Sequence, residues 1–408
     1  MTSVDYHKPS GKLQRATELA FCAVFFFLPI SKPMLFLSLA LALGLFIAGG
    51  RFAAAWQARR IQPWMVPAVI LSVLPFLSLA LHKDFKQGIE SLDLGYYWMV
   101  AALTFFAASS YAILPWMRAF AGGIFVVFCF ERMTVAGWLP AVTVAPAAMG
   151  NYILYSQFLA VGFVLLSILY RNDPRRSVRG IYLAAMLLFF FGLTSGKGRS
   201  GMLVVLVLLP FVFSNIFFRQ SRKRIFLGCM IALLALLISP KVQDRIEVAA
   251  TDVQMFRQGI TQTSLGYRFD MWNTALDVVR AHPLAGAGTS GFRDAWRSAP
   301  RSGQGLEFIE PHNAFLFFAT SYGIVGLLAL IWLYAAMLWT GWTQRHSLEG
   351  SIVFAFAVIC IVGSMTNTMF MGAVSHLWMM LFVGLQGSLL PARSPSLSPE
   401  THRKAAAQ

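Results

Sequence analysis

Charge is scarce in this sequence. Of 408 residues only 12% are charged, and acidic side chains number 17 against 33 lysines and arginines. Soluble domains carry roughly a quarter charged residues, so this deficit, with 57% apolar residues, excludes an ordinary water-soluble globule. Cysteine is scarce as well. Cys22, Cys129, Cys229 and Cys360 all lie inside apolar runs, which excludes a disulfide framework or thiolate metal site and leaves four small packing residues. No repeat of fixed period is present, so a solenoid is excluded. A basic stripe with stacking aromatics on a soluble module is also missing, and with it the pattern of a nucleic-acid binder.

What is abundant is apolar sequence in long runs. About twenty apolar residues cross the hydrocarbon as a helix, and slightly shorter runs span with help from flanking residues. Twelve candidate spans follow. The first two, Ala16 to Ile30 and Pro33 to Gly49, are joined at Ser31 and Lys32 as a helical hairpin. Then come Pro63 to Leu81, Leu94 to Ser110, Trp116 to Phe130, Tyr152 to Tyr170, Gly180 to Thr194, Met202 to Phe218 and Ile225 to Ile238. Asn313 to Trp342, Ser351 to Met369 and Ala373 to Leu390 complete the set. The first run is followed at once by a second and no small-residue cleavage site stands out, so the first helix is expected to stay as an anchor. Trp98, Trp116 and Trp342, near span ends, read as interfacial anchors.

Cytoplasmic loops retain an excess of lysine and arginine, and this orients the chain. With the N-terminus inside, clusters such as Arg171 to Arg179 and Arg219 to Arg224 face the cytoplasm, whose segments total 19 basic and 4 acidic residues against 14 and 12 outside. The net positive charge is therefore mainly a topology signal, with anionic headgroups of membrane lipids as its partner. Both termini are expected in the cytoplasm, and the tail 391–408 reads as a disordered cytoplasmic end.

The expected organisation is nine spans in 1–239, a large loop domain in 240–312, three spans in 313–390, and the tail. The loop lies on the extracytoplasmic side. It is too long for a simple connection in a compact protein, and its apolar periodicity, with Trp272, Leu276 and Val279 on one helical face, argues for a partly helical cap. Its Tyr267, Trp272 and Trp296 are candidates for stacking on sugar, beside their ordinary packing role.

The turn TSGKGRSGM (Thr194 to Met202) sets a lysine and an arginine among glycines. A nucleotide P-loop needs G-x-x-x-x-G-K-[ST] between strand and helix; here Gly192 to Gly196 is one residue short and Gly198 follows Lys197. The topology also puts the turn outside, away from ATP. Lys197 and Arg199 would either hold an anion at headgroup depth or snorkel to lipid phosphates. A second candidate site opens the tenth run, IEPHNAFLFF (Ile309 to Phe318). That run is about 45 Å long at about 1.5 Å per residue, more than the roughly 30 Å of hydrocarbon, so its start stands at or above the outer interface. His312 at a helix N-terminus disfavours imidazolium, and the expected species is neutral, able to accept a proton. Pro311 and Asn313 also fit a plain helix start, and both readings can hold at once.

The GRSG turn after a span, S-x-x-x-R-x-x-x-W from Ser264 to Trp272, PLAGAGTSGF and PHNAFL occur here in that order, the middle two inside the late extracytoplasmic loop. Together they resemble the O-antigen ligases of Gram-negative bacteria, which are grouped with O-antigen polymerases and protein O-oligosaccharyltransferases. The resemblance covers chiefly Ser195 to Ala319. It implies an all-α polytopic membrane protein of about twelve helices, similar to the GT-C glycosyltransferases, in the bacterial inner membrane with a periplasmic active site. It also implies transfer of a glycan from undecaprenyl pyrophosphate to lipid A-core. By the same resemblance Arg199, Arg268 and His312 are the catalytic residues, while Lys197 and Lys83 are weaker pyrophosphate candidates. The family requires no metal or other cofactor, and no Asp, Glu or His cluster of ligand spacing appears in the loops. A polymerase or protein O-oligosaccharyltransferase would share the chemistry and differ in acceptor. A transporter of lipid-linked sugars is the contrasting class, but neither repeat symmetry nor a polar mid-membrane site marks the sequence.

Overall fold

A computed structural model describes residues 11–50, 61–82, 89, 92–139, 151–196, 198–217, 222–299 and 306–390. Lys83, Lys197 and the tail 391–408 lie outside these residues. All regular structure among the described residues is helical. In chain order the α-helices are α1 (Gly11–Phe27), α2 (Lys32–Ala48), α3 (Met65–His82), α4 (Asp93–Tyr96), α5 (Trp98–Ala108), α6 (Leu114–Val135), α7 (Tyr152–Asn172) and α8 (Arg176–Ser195). They continue with α9 (Ser200–Ile216), α10 (Arg222–Ile238), α11 (Pro240–Arg257), α12 (Ser264–Ala281), α13 (Gly291–Ser298), α14 (Ala314–Thr343), α15 (Leu348–Thr366) and α16 (Ala373–Gly384).

Five of them, α6, α7, α8, α14 and α15, are long and apolar enough to cross a membrane, or six if Arg222–Ile238 and Val242–Arg257 count as one bent span. Shorter apolar helices, among them Lys32–Ala48, Met65–Ala80 and Ser200–Ile216, accompany them. This is the polytopic helical architecture expected from composition. At its centre is α7, buried without interruption from Ile153 to Leu169. A helix that is apolar all round belongs inside a bundle, and α6, α8, α9 and α15 surround it.

The turn from Gly196 into α9 packs directly on this central helix. A Cβ on Gly201 would lie 2.1 Å from the Ser156 carbonyl oxygen, and one on Gly198 would lie 2.3 Å from the Ser156 side chain. The Gly201 N–H donates to Ser156 Oγ at 3.3 Å. These glycines therefore serve helix packing, and the Gly201 amide is spent inside the protein.

The 30-residue run from Ala314 is two helices in one. Gly323 has φ 64° and interrupts it, and the PLAGAG segment docks there. Ala287 N–H donates to Thr320 O at 2.8 Å, Gly288 N–H to Ser321 O at 3.1 Å, and Ile324 N–H to Pro283 O at 2.8 Å. The backbone groups freed by the break are thus satisfied by another segment, as a low-dielectric setting demands. Beyond Gly323 about 20 residues remain, about 30 Å of helix, close to the hydrocarbon thickness.

Helices α11 to α13 form a separate layer with a small core of Met271, Ala275 and Phe292, against which Tyr267, Trp272, Trp296, Phe308 and Leu316 pack. The buried face of α12 is Met271, Thr274, Ala275 and Val278, whereas Leu276 is exposed. The face expected from the bulkier residues is thus offset, because small Thr274 and Ala275 let α12 approach its neighbours closely. Trp116 departs from its expected role as well. It is fully buried, stacked on Phe21 at 4.8 Å and Phe25 at 5.7 Å, since α1 covers the start of α6.

At the end of α7 away from Tyr152, Asp173 gathers cations. Its carboxylate pairs with Arg118 at 2.7 Å and Arg175 at 2.9 Å, and Arg179 donates to its backbone oxygen at 2.6 Å. The arginine hydrogen bonds hold the Asp173 pKa well below the usual carboxylate range.

Gly323→Ala is expected to destabilise the detergent-solubilised protein by more than about 1–3 kcal/mol, because a Cβ would meet the Leu284 oxygen at 2.2 Å in a strained backbone region. Gly180→Ala, where nothing lies within 4 Å, is expected to be neutral or stabilising by up to about 1 kcal/mol. Thermal unfolding of the two variants beside the parent checks both, and equal midpoints would refute the account of the break.

Candidate functional site

The site forms where the start of α7, the turn before α9, helix α12 and the turn before α14 meet. Helix α12 is set first. Thr263 caps it by accepting the Gly266 N–H at 3.1 Å, and the buried Asp252 of α11 accepts the Leu265 N–H at 3.2 Å. One turn into the helix stands Arg268, and one turn further Trp272, so both project from the same side. The Trp272 indole N–H donates to the Pro311 carbonyl at 3.2 Å. That bond ties α12 to the peptide immediately before His312.

His312 has φ 49°, the sole non-glycine residue of positive φ among those described. Such a conformation is costly for a side chain bearing a Cβ and persists when the surroundings impose it. Here the surroundings are Trp272 on one side and the cap of α14 on the other, where Asn313 Oδ1 accepts the Leu316 N–H at 3.2 Å. The imidazole packs edge-on against Phe308, ring centroids 6.1 Å apart. Its Nδ1 faces Asn367 Oδ1 at 3.4 Å and Glu310 Oε1 at 3.5 Å. With the Asn367 oxygen opposite it, the proton is assigned to Nδ1, and Nε2 keeps the lone pair. Burial lowers the His312 pKa, and the nearby Arg268 charge adds to this against the opposing Asn367 contact. The uncharged imidazole expected from the sequence is the form this environment favours.

Arg268 is half-buried, and desolvation weakens its hold on its proton, with the Arg199 charge acting in the same direction. Among the described residues neither Arg268 nor Arg199 makes an ion pair. Arg199, the last residue of the turn and the N-cap of α9, is exposed. Arg268 thus lies within range of the charge of Arg199 on one side and of His312 on the other. Lys197 and Lys83 fall outside the described residues. A third arginine, Arg245 of α11, donates to the Gly196 carbonyl and lies within range of the Arg199 charge. It holds the turn that carries Arg199, and no local pattern in the sequence marks it.

Two further residues escaped sequence reading. Glu310 lies inside the IEPHNAFL motif, yet only the turn geometry puts its carboxyl on His312. Burial raises its pKa to about 7, partly offset by Thr368, and its Oε2 has no hydrogen bond of ordinary length. Asn367, at the end of α15, is 55 residues away in sequence from the imidazole it faces. The aromatic candidates for sugar stacking are largely occupied. Trp272 is bonded to Pro311, Trp296 Nε1 donates to the Leu306 carbonyl at 3.0 Å, and Tyr267 packs against Phe308 at 5.6 Å.

Two arginines without an ion pair among the described residues, beside a histidine whose burial favours the neutral form, suit transfer from a substrate with an anionic leaving group. Residues 183–331 match the family model described as O-antigen ligase, a match that supports membership of the O-antigen ligase superfamily. The matched segment contains Arg199, Arg245, Arg268, Glu310 and His312. The chain is also 28% identical over 192 residues to an uncharacterized protein of Haemophilus influenzae, a stretch that covers 44% of this chain and 48% of the relative. The chain therefore spans about half the length of the curated relative it matches.

The raised pKa of Glu310 makes stability pH-dependent. The native state keeps the proton between the ordinary Glu pKa and about 7, while the unfolded chain has lost it, so this contribution is full at low pH and disappears as pH rises through about 7. Glu310→Gln removes the cost of a buried carboxylate. Its unfolding midpoint in detergent is expected to gain on the parent as pH rises from 5 to 8, and a difference independent of pH would refute the assignment.

Proposed function

We propose that this protein is an O-antigen ligase, which transfers a glycan from undecaprenyl pyrophosphate to a hydroxyl of lipid A-core at the periplasmic face of the bacterial inner membrane. What supports the reading is that Arg268 lies within charge range of both Arg199 and a His312 whose burial favours the neutral form, all three inside the segment matched to the family. The opposite end, with Asp173 and its arginines, lies about 30 Å away along the 21 residues of α7. Its arginines fit the cytoplasmic side by the positive-inside rule, which supports an outward-facing site. In this reading the bundle has twelve spans of GT-C type, the shorter apolar helices included, and the 240–312 layer is a periplasmic cap.

The chemistry follows from the charges. A glycosyl pyrophosphate carries its own leaving group, so the enzyme must stabilise charge on the departing diphosphate and activate the attacking hydroxyl. Each arginine fork can hold phosphate oxygens in hydrogen bonds of about 1.5–3 kcal/mol, and a half-buried guanidinium without a carboxylate partner is ready for such an anion. His312 accepts the hydroxyl proton through Nε2 while the hydroxyl oxygen attacks the anomeric carbon and the bonding pair leaves with the pyrophosphate. In-line attack inverts the anomeric configuration. No metal or other cofactor takes part.

Purified protein in detergent, given a defined lipid-linked donor and lipid A-core, is expected to make the capped product with the opposite anomer to the donor. Arg268→Ala and His312→Ala should insert and fold normally and lose at least about 100-fold in kcat. Undiminished transfer by either variant would overturn the assignment. In a deletion strain, loss of every capped lipopolysaccharide band supports ligation. Bands carrying a single repeat would identify a polymerase instead, and loss of glycoprotein with intact lipopolysaccharide a protein O-oligosaccharyltransferase.

A further inference from the structure

Among the described residues the Glu310 carboxyl is the acidic group in contact with the histidine, and it pairs with no lysine or arginine. Its Oε1 is 3.5 Å from His312 Nδ1, and its Oε2 is buried with no hydrogen bond of ordinary length, Thr368 lying close enough to favour the charged form. The nearest acidic residue before it, Glu307, is committed elsewhere, to Arg297 at 3.0 Å and Arg293 at 3.7 Å. The groups facing Glu310 from adjoining elements are few. His312 lies on its own turn, Arg268 of α12 stands beyond the imidazole, and α15 presents neutral Asn367 and Thr368. A buried polar atom left unpaired costs stability, so a carboxyl kept in this position calls for a use.

We propose that Glu310 is the positioning residue of His312, holding the imidazole with Nε2 toward the acceptor and taking up positive charge from Nδ1 when Nε2 is protonated. The proposal rests on the transferase reading above. During transfer the acceptor O–H bond breaks as the oxygen bonds to the anomeric carbon, and the anomeric C–O bond breaks with its electron pair leaving on the pyrophosphate. The hydroxyl proton goes to Nε2. The imidazolium then shares its Nδ1 proton with the Glu310 carboxylate, and one proton is released to solvent as the products depart. Asn367 fixes the same ring nitrogen but, being neutral, cannot accept that charge. The division is the one in which a carboxylate behind a histidine orients it and stabilises its charged form.

The consequence is a pH profile. The carboxylate is the useful form of Glu310, so transfer should fall as pH drops through about 7, where Glu310 gains its proton. The test compares full-length parent, Glu310→Gln and Glu310→Asp in detergent, measuring kcat and both KM values from pH 5.5 to 9. In Glu310→Gln we expect kcat at pH 8 to fall by about 10- to 100-fold with KM within about twofold, as for other partners behind a working histidine. The acidic limb near pH 7 should vanish or move lower, and Glu310→Asp should regain part of the rate and the limb. A Glu310→Gln variant with parental kcat and an unchanged limb overturns the proposal. So does a loss of equal size at every pH that Asp does not relieve. If the parent acts on another acceptor but not on lipid A-core, the ligase reading falls while the comparison with Glu310→Gln still decides this inference. A parent that transfers to no acceptor overturns both.

Discussion

The hydrogen bond from the Trp272 indole to the Pro311 carbonyl is the constraint on which the site depends. It joins the helix carrying Arg268 to the peptide that sets His312 in its positive-φ conformation. Packing of Tyr267 on Phe308, and of Phe308 and Leu316 on the core beneath α12, brings the two elements together, and this bond sets their register next to the histidine. The small core of Met271, Ala275 and Phe292 holds α12 on the other side, so the bond acts between two packed elements and not between loops. Rigid support of this kind is what a reacting group requires, because small errors of position cost large factors in rate.

The two ends of the bundle handle positive charge in opposite ways. Around Asp173 the arginines are neutralised, and the result is a clasp between the start of α6, the end of α7 and the start of α8. Nearer the site Arg132 is likewise paired with Glu131 and donates to Ser195 at 3.0 Å. Arg268 and Arg199 have no such carboxylate among the described residues and repel each other. Half-burying a guanidinium without an anion is unfavourable, and a diphosphate supplied by a substrate would reverse that balance. The arginines near Asp173 are thus committed to structure, and those of the candidate site are open to an anion.

The break at Gly323 connects these levels. It divides a helix too long for the membrane into a span and a shorter piece that carries the His312 turn, and it accepts the PLAGAG segment at the division. The glycine-rich PLAGAG segment thus has a structural task. It closes the backbone ladder of α14 and fastens the end of α12, only a few residues earlier, to the membrane bundle.

Composition alone determined that the chain is helical and membrane-spanning, since apolar runs separated by short polar turns admit no other solution in lipid. The place of His312 at a helix start also led to the expectation of an uncharged imidazole, and burial in the fold favours the same form. These were legible because run length and helix-end electrostatics are local. The pairing of Glu310 and Asn367 with His312, the use of Arg245 to hold the Arg199 turn, and the consumption of Trp272 and Trp296 in packing were not legible. The Asn367 and Arg245 contacts depend on which helix faces which, across 55 and 49 residues of chain, while the Glu310 contact depends on the positive-φ turn at His312 and not on spacing alone. The glycines of GKGRSG make the same point. As sequence they suggest a cradle for phosphate, but only the fold reveals that Gly201 is small because Ser156 of the central helix lies against it.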